Sequence, residues 1–155
     1  MESGKSTIAR ELLYRFMVDK INAIVLPLAE PVKQIAEEHF GWNRKKDDKG
    51  RKLLQVIGTE AGRAYNPDLW IEKLDARIKQ QPKETIVIVD DVRFDNEVDY
   101  IEAFGGKVFK IERDVSIKGN HISEHGIDYR KHKIIAIDNN GVVDDVVDKI
   151  IHLSN

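Results

Sequence analysis

Four short apolar runs, separated by stretches with helical spacing, limit what this 155-residue chain can fold into. Residues 21–28 carry Ala23, Ile24, Val25 and Leu26 in succession, and residues 85–89 read Thr-Ile-Val-Ile-Val. Residues 108–111 and 134–137 are the third and fourth runs. Nearly continuous apolar runs suit strands covered on both faces. Between them the spacing predicts helices. Residues 6–17 place Ile8, Ala9, Leu12, Leu13 and Phe16 on one stripe. A second helix opens at Pro31, buries Val32, Ile35, Ala36 and Phe40, and closes at Gly41. Residues 53–64 read as helical despite Gly58 and Gly62, whose spacing suggests close packing or a nearby ligand. Asn66-Pro67-Asp68 starts a helix reaching about Lys79, with Leu69, Trp70, Leu74 and Ile78 on one side. Residues 96–104 form a short helix stopped by Gly105-Gly106, and residues 142–153 close the chain as an amphipathic helix. Residues 43–52 are expected to be an exposed polar loop, the alternative being a mobile segment near a phosphorylated substrate, and residues 114–130 a long loop or a lid with some helix. Strands alternating with helices imply an α/β fold around a parallel sheet.

The length suits one domain over residues 1–155 with a real core. A net charge of -2 gives no overall reason to expect nucleic acid or an acidic membrane as partner. The chain has no cysteine, which excludes disulfides and thiol catalysis. No apolar run approaches a membrane span and nothing resembles a signal peptide, so cytoplasm is the expected location.

Gly4-Lys5-Ser6-Thr7 precedes the first helix and matches the second half of G-x-x-x-x-G-K-[ST]. The first glycine of that pattern, and the strand that feeds it, would precede residue 1. In such a loop Lys5 contacts transferred phosphate oxygens, the amides near Gly4 and Lys5 donate to phosphate, and Ser6 can ligate magnesium. The alternative is a chance Gly-Lys-Ser-Thr.

Asp90 and Asp91 end the second apolar run, where a parallel strand delivers carboxylates to a ligand crevice. One of them could hold magnesium; otherwise they are turn residues. Arg93 could grip a phosphate with its planar fork, or pair with Asp90, Asp91 or Glu97. Phosphoryl transfer needs cations around developing charge, which adds Arg113 to Lys5 and Arg93 as catalytic candidates. In the segment 58–63, Thr59 and Glu60 could meet a base or sugar and Arg63 an acceptor phosphate; otherwise it is a surface helix packed through small residues. His121-x-Ser123-Glu124-His125 does not have the common helical zinc spacing, and a polar lid over phosphates suits it better. His39, His132 and His152 read as structural or surface residues. Trp70 lies on an apolar helix face and reads as core, whereas Trp42 could line a pocket.

Together these segments resemble the deoxynucleoside monophosphate kinases of bacteriophages, within the wider P-loop monophosphate kinases. The resemblance rests on Leu54-Gln55-x-x-Gly58-Thr59-Glu60-x-Gly62-Arg63, Asp68-x-Trp70 and Asp91-Val92-Arg93-Phe94-x-Asn96-Glu97. Ala29-x-Pro31-x-Lys33, Gly105-Gly106, Arg113, His121-x-Ser123-Glu124 and Asn139-Asn140-Gly141 complete it. It implies a P-loop NTPase three-layer sandwich of strand order 2-3-1-4-5, with the first strand and the start of the loop lying before residue 1. It implies transfer of the ATP gamma-phosphate, with Mg2+, to a deoxynucleoside monophosphate. Gly4, Lys5, Ser6 and Thr7 would form the donor site. Lys33, Thr59, Arg63, Trp70 and Arg93 would face the acceptor, within a helical region at about 30–80. Arg113, His121, Ser123 and Glu124 would belong to a lid at about 113–132. Relatives can be homodimers, so a dimer is an expectation of the same kind, as is a phage gene working in host cytoplasm. Two rival readings share the architecture: another small-molecule kinase, such as one acting on dephospho-coenzyme A, and a truncated homologue that binds nucleotide without transferring phosphate.

Overall fold

The structure is a computed structural model and describes residues 4–112 and 126–154. Its elements run α1 (Lys5–Val18), β1 (Ala23–Val25), α2 (Glu30–Phe40), α3 (Asp48–Gln55), a π-helical continuation (Val56–Arg63), α4 (Leu69–Lys79), β2 (Ile86–Ile88), α5 (Asp95–Phe104), β3 (Val108–Glu112), β4 (Ile134–Asp138) and α6 (Val143–Ser154). All four strands and the main helices fall where the apolar spacing predicts them.

Both strand pairings are parallel. In the first, Ala23 lies opposite Ile86 and Val25 opposite Ile88. In the second, Val108 lies opposite Ile134 and Glu112 opposite Asp138. The first run is shorter as a strand than its apolar length suggests. The Leu26 amide still donates to the Ile88 carbonyl at 2.9 Å, but Pro27 follows and has no N–H to continue the ladder.

Burial splits β2 by the two-residue period of a strand. Val87 and Val89 pack with Ile24, Leu26, Leu28, Ile71 and Leu74, the face covered by α4. Ile88 points the other way, into a core shared with Ile8 and Leu12 of α1 and Val146, Val147 and Ile150 of α6. Phe109, Ile111, Ile135 and Ile137 of β3 and β4 enter that same core. The fold is therefore a parallel α/β sheet with helices on both faces, as expected. Among the described residues β2 and β3 are not paired with each other.

A third cluster belongs to helices alone. Val32 and Ala36 of α2, Ile57 of the π-helical segment and Trp70 of α4 are buried together. Two expectations in this region need correction. Phe40 does not join the buried face: it is 61% exposed, at the last residue of α2, where Gly41 turns the chain with φ 68°. The polar stretch 43–52 is not all loop. The Asp47 carboxylate accepts from the Gly50 amide at 2.8 Å and caps α3, a bond worth about 1 kcal/mol. Gly50 is required there, since a Cβ would stand 2.2 Å from the Lys45 carbonyl oxygen. Trp42 donates its indole N–H to that same carbonyl at 3.0 Å, so it braces this turn.

Candidate functional site

Helix α1 joins β1 through only four residues, 19–22, so it runs back along the sheet. Its amino end therefore lies at the carboxyl end of β1 and of its parallel partner β2. Gly4 caps that end in the left-handed region at φ 89°, a conformation that favours glycine. Among the described residues no side chain caps the first turn, and no acid lies within it. Ser6 and Thr7 are exposed, while Ile8 and Ala9 turn into the core. The positive end of the helix dipole therefore lies beside the sheet end.

Asp90 and Asp91 follow β2 at this end and do different things. Both oxygens of Asp91 accept backbone N–H groups, from Leu28 at 2.8 Å and Ala29 at 2.9 Å. Asp91 thus fastens the end of β2 to the start of α2. Burial and the neighbouring Asp91 raise the Asp90 carboxyl above the usual carboxylate range, while the charges of Lys33 and Lys5 pull it back. Lys5 and Lys33 thus both lie within electrostatic reach of Asp90. Arg77 reaches the same region from α4, donating to the Pro27 carbonyl at 2.8 Å. Burial lowers its pKa against the opposing pull of Asp91 and Glu30.

Glu97 organises the next step of the chain. It is 3% exposed. One oxygen, Oε1, accepts the Arg93 amide at 2.7 Å and the Phe94 amide at 3.1 Å. Its other oxygen faces the Arg63 guanidinium at 3.7 Å. Burial raises this carboxyl, and the two amides and Arg63 hold it back. The Arg63 guanidinium lies 4.5 Å from the centre of the Phe94 ring and donates to Thr59 Oγ1 at 2.9 Å. Arg63 and Thr59 are therefore set beside the Arg93 segment, and the Arg93 side chain stays exposed.

The remaining expectations divide. Trp70 is a core residue. The residue is 3% exposed, a Cβ on Gly62 would stand 2.5 Å from its ring, and its indole N–H donates to the Gly58 carbonyl at 2.8 Å. It offers no face for a base to stack on, so its place among the acceptor contacts is withdrawn. Glu60 points outward and pairs with Lys52 at 3.5 Å. Arg113, His121, Ser123 and Glu124 lie outside the described residues.

Sequence reasoning missed the structural part played by Glu97, although a glutamate in the first turn of a helix is a recognisable capping signal. It also missed the clasp across Arg93–Asp95. The Asp95 amide donates to the Gly126 carbonyl at 3.0 Å, and the Asp95 carboxylate accepts the Asp128 amide at 2.7 Å. Gly126 sits so close that a Cβ would stand 2.2 Å from the Arg93 carbonyl oxygen. A shallow hollow beside α3, lined by Asp48, Lys49, Lys52, Leu53 and Val56, contains none of the candidate residues.

Comparison with known proteins gives two relatives and a family. A protein of Acanthamoeba polyphaga mimivirus named for deoxynucleotide monophosphate kinase activity is 28% identical, over 96% of this chain and 89% of its own length. The deoxynucleoside-5'-monophosphate kinase of Escherichia phage T5 is 27% identical, over 82% of this chain and 58% of its own length. A sequence model of the deoxynucleotide monophosphate kinase family matches residues 38–150. That span takes in Thr59, Arg63, Asp90, Asp91, Arg93 and Glu97 and leaves out Gly4 to Thr7 and Lys33. It covers most of the chain, and on that match the chain belongs to the deoxynucleotide monophosphate kinase family.

Proposed function

We propose that this chain transfers the gamma-phosphate of ATP to a deoxynucleoside monophosphate, giving ADP and the deoxynucleoside diphosphate. The observation that carries the reading is the convergence at the carboxyl end of β2. Lys5 and Lys33 act electrostatically on Asp90, and a chain segment follows in which Glu97 holds both the Arg93 backbone and Arg63. An oxygen of the acceptor phosphate attacks the gamma-phosphorus, a P–O bond forms, and the bond to the beta-phosphate oxygen breaks. No covalent enzyme intermediate is needed, so the chain's work is positioning and charge compensation.

In this reading the α1 amides and Lys5 hold the donor phosphates. Arg63 and Arg93 grip the acceptor phosphate, Thr59 and Glu60 meet the acceptor's sugar or base, and Lys33 lies on the acceptor side. The hard oxygen donors Ser6 and Asp90 fit Mg2+. Asp91 fits it less well, because both its oxygens already accept backbone amides. The ion, when bound, neutralises phosphate charge. Arg113, His121, Ser123 and Glu124 complete the lid side, where closure excludes water and prevents wasteful ATP hydrolysis.

We place the two strand pairs in one P-loop NTPase sheet. The core shared by Ile88 with β3 and β4 supports that placement. The homodimer and the host-cytoplasm location belong to the same reading. A coupled assay of this chain against the four deoxynucleoside monophosphates, with dephospho-coenzyme A as rival acceptor, tests it. ADP formation with a deoxynucleotide, lost in Lys5→Ala, is expected. Binding of an ATP analogue without transfer to any acceptor would overturn it in favour of a nucleotide-binding homologue.

A further inference from the structure

His132 is a buried imidazole enclosed by carboxylates. Its side chain is only 2% exposed. Nε2 faces Asp95 Oδ1 at 2.9 Å, a normal hydrogen bond. That bond fixes the ring against Asp95 and turns Nδ1 toward what lies in front of it. Two more carboxylates stand there: Glu102 Oε1 at 3.4 Å and Asp99 Oδ1 at 3.5 Å.

Both separations exceed the roughly 2.7–2.9 Å of a close charge-assisted hydrogen bond, although they lie within ion-pair reach. They also match the edges of a coordination tetrahedron: ligands at about 2.1 Å from zinc stand about 3.4 Å apart. One donor atom from each of Asp99, Glu102 and His132 lies within 4.8 Å of the others. Asp99 and Glu102 are three apart on α5 and so share a helix face. The Asp99 side chain is 70% exposed and free to turn inward to shorten the remaining edge. Behind the imidazole, Asp95 supplies the carboxylate partner that orients metal-binding histidines. The second oxygen of Glu102 is itself held by the Lys133 amide at 2.9 Å.

We propose that His132, Asp99 and Glu102 form a binding site for one divalent transition-metal ion of the zinc class, with Asp95 orienting the imidazole from behind. One nitrogen and two carboxylate oxygens leave a fourth position for water. The nitrogen ligand favours Zn2+ or Co2+ over Mg2+. Such an ion would fasten residues 126–133 to α5, the helix whose first turn carries the Glu97 clasp. The inference stands apart from the kinase reading, because no residue of the proposed phosphate site takes part.

The test is metal binding by the whole chain. Zn2+ titration calorimetry of the wild type is expected to show one tight site that excess Mg2+ does not displace. Co2+ is expected to give the strong visible absorption of a four-coordinate ion. His132→Gln and Asp99→Asn should each weaken Zn2+ binding at least about tenfold, and Asp95→Asn about 10- to 100-fold. Asp99 is exposed and contributes little to packing, so Asp99→Asn stays informative if the histidine variant fails to fold. Absence of a tight site would overturn the proposal. So would one whose affinity is unchanged in Asp99→Asn, since binding would then come from other histidines.

Discussion

Glu97 allows the charge of a buried acid to be separated from its hydrogen-bonding role by comparing two substitutions. A single oxygen accepts the Arg93 and Phe94 amides at 2.7 and 3.1 Å, and the other meets Arg63 at the longer 3.7 Å. Glu97→Gln keeps an amide oxygen for both backbone donors and loses only the ion pair. Arg63 is 28% exposed and keeps its bond to Thr59, so the lost pair is worth about 1 kcal/mol. Removing a negative charge that burial disfavours works in the opposite direction. The net change should stay within about 1 kcal/mol. Glu97→Ala leaves both amides without an acceptor, at about 1–3 kcal/mol each, and should cost about 3 kcal/mol in all. With a urea slope near 2 kcal/mol/M, the alanine midpoint falls by about 1.5 M and the glutamine midpoint by less than about 0.5 M. Equal losses in the two variants would refute the reasoning, because charge and not the shared oxygen would then hold the segment.

Gly62→Ala drives a methyl group into the Trp70 ring, where a Cβ has only 2.5 Å, and should cost about 1–3 kcal/mol in urea unfolding. Asp91→Asn gives up an acceptor for Leu28 or Ala29 and should lose about 1–3 kcal/mol. Asp90→Asn should leave the unfolding midpoint unchanged or higher and reduce Mg2+-dependent turnover. Arg93→Ala should raise the acceptor KM at least about tenfold, the loss expected for a charged hydrogen bond, and leave ATP-analogue binding unchanged; equal losses at both sites would count against its acceptor role. Asp75 is held below the usual carboxylate range by Lys79 and then by the Tyr100 hydroxyl. Its contribution is present above the unfolded value and is lost as pH falls through the lowered one. A profile of Tm against pH should therefore lose part of its acid-side slope, below about pH 4, in Asp75→Asn.

The sheet was legible because its strands are written as short apolar runs, and both faces of β2 can be read from Val87, Ile88 and Val89. Strand ends were less so: pairing stops where Pro27 removes a donor, not where apolar residues stop. Gly62 was legible as a close-packing position, and Trp70 as core from its helix face. The reading of 43–52 as loop failed because composition outweighed a local signal, Asp47 three residues before Gly50. The candidate site was legible as residue types, in Lys5, Asp90, Asp91 and Arg93. Their division of labour was not. Which aspartate holds backbone depends on amides more than 60 residues earlier in the chain, and no spacing rule reports such contacts. The partners of His132 likewise lie some 30 residues away on α5, so nothing near it in sequence marks it as enclosed.

The bond pair from Asp91 to Leu28 and Ala29 has a mechanical consequence. It couples strand and helix as a bell crank couples two rods: a pull on the end of β2 is transmitted to the first turn of α2. Lys33 rides on that turn, and Asp90 is the residue immediately before the pivot. A displacement of Asp90 is therefore passed to a cation in the same stroke, and the stiffness of that stroke resides in two hydrogen bonds.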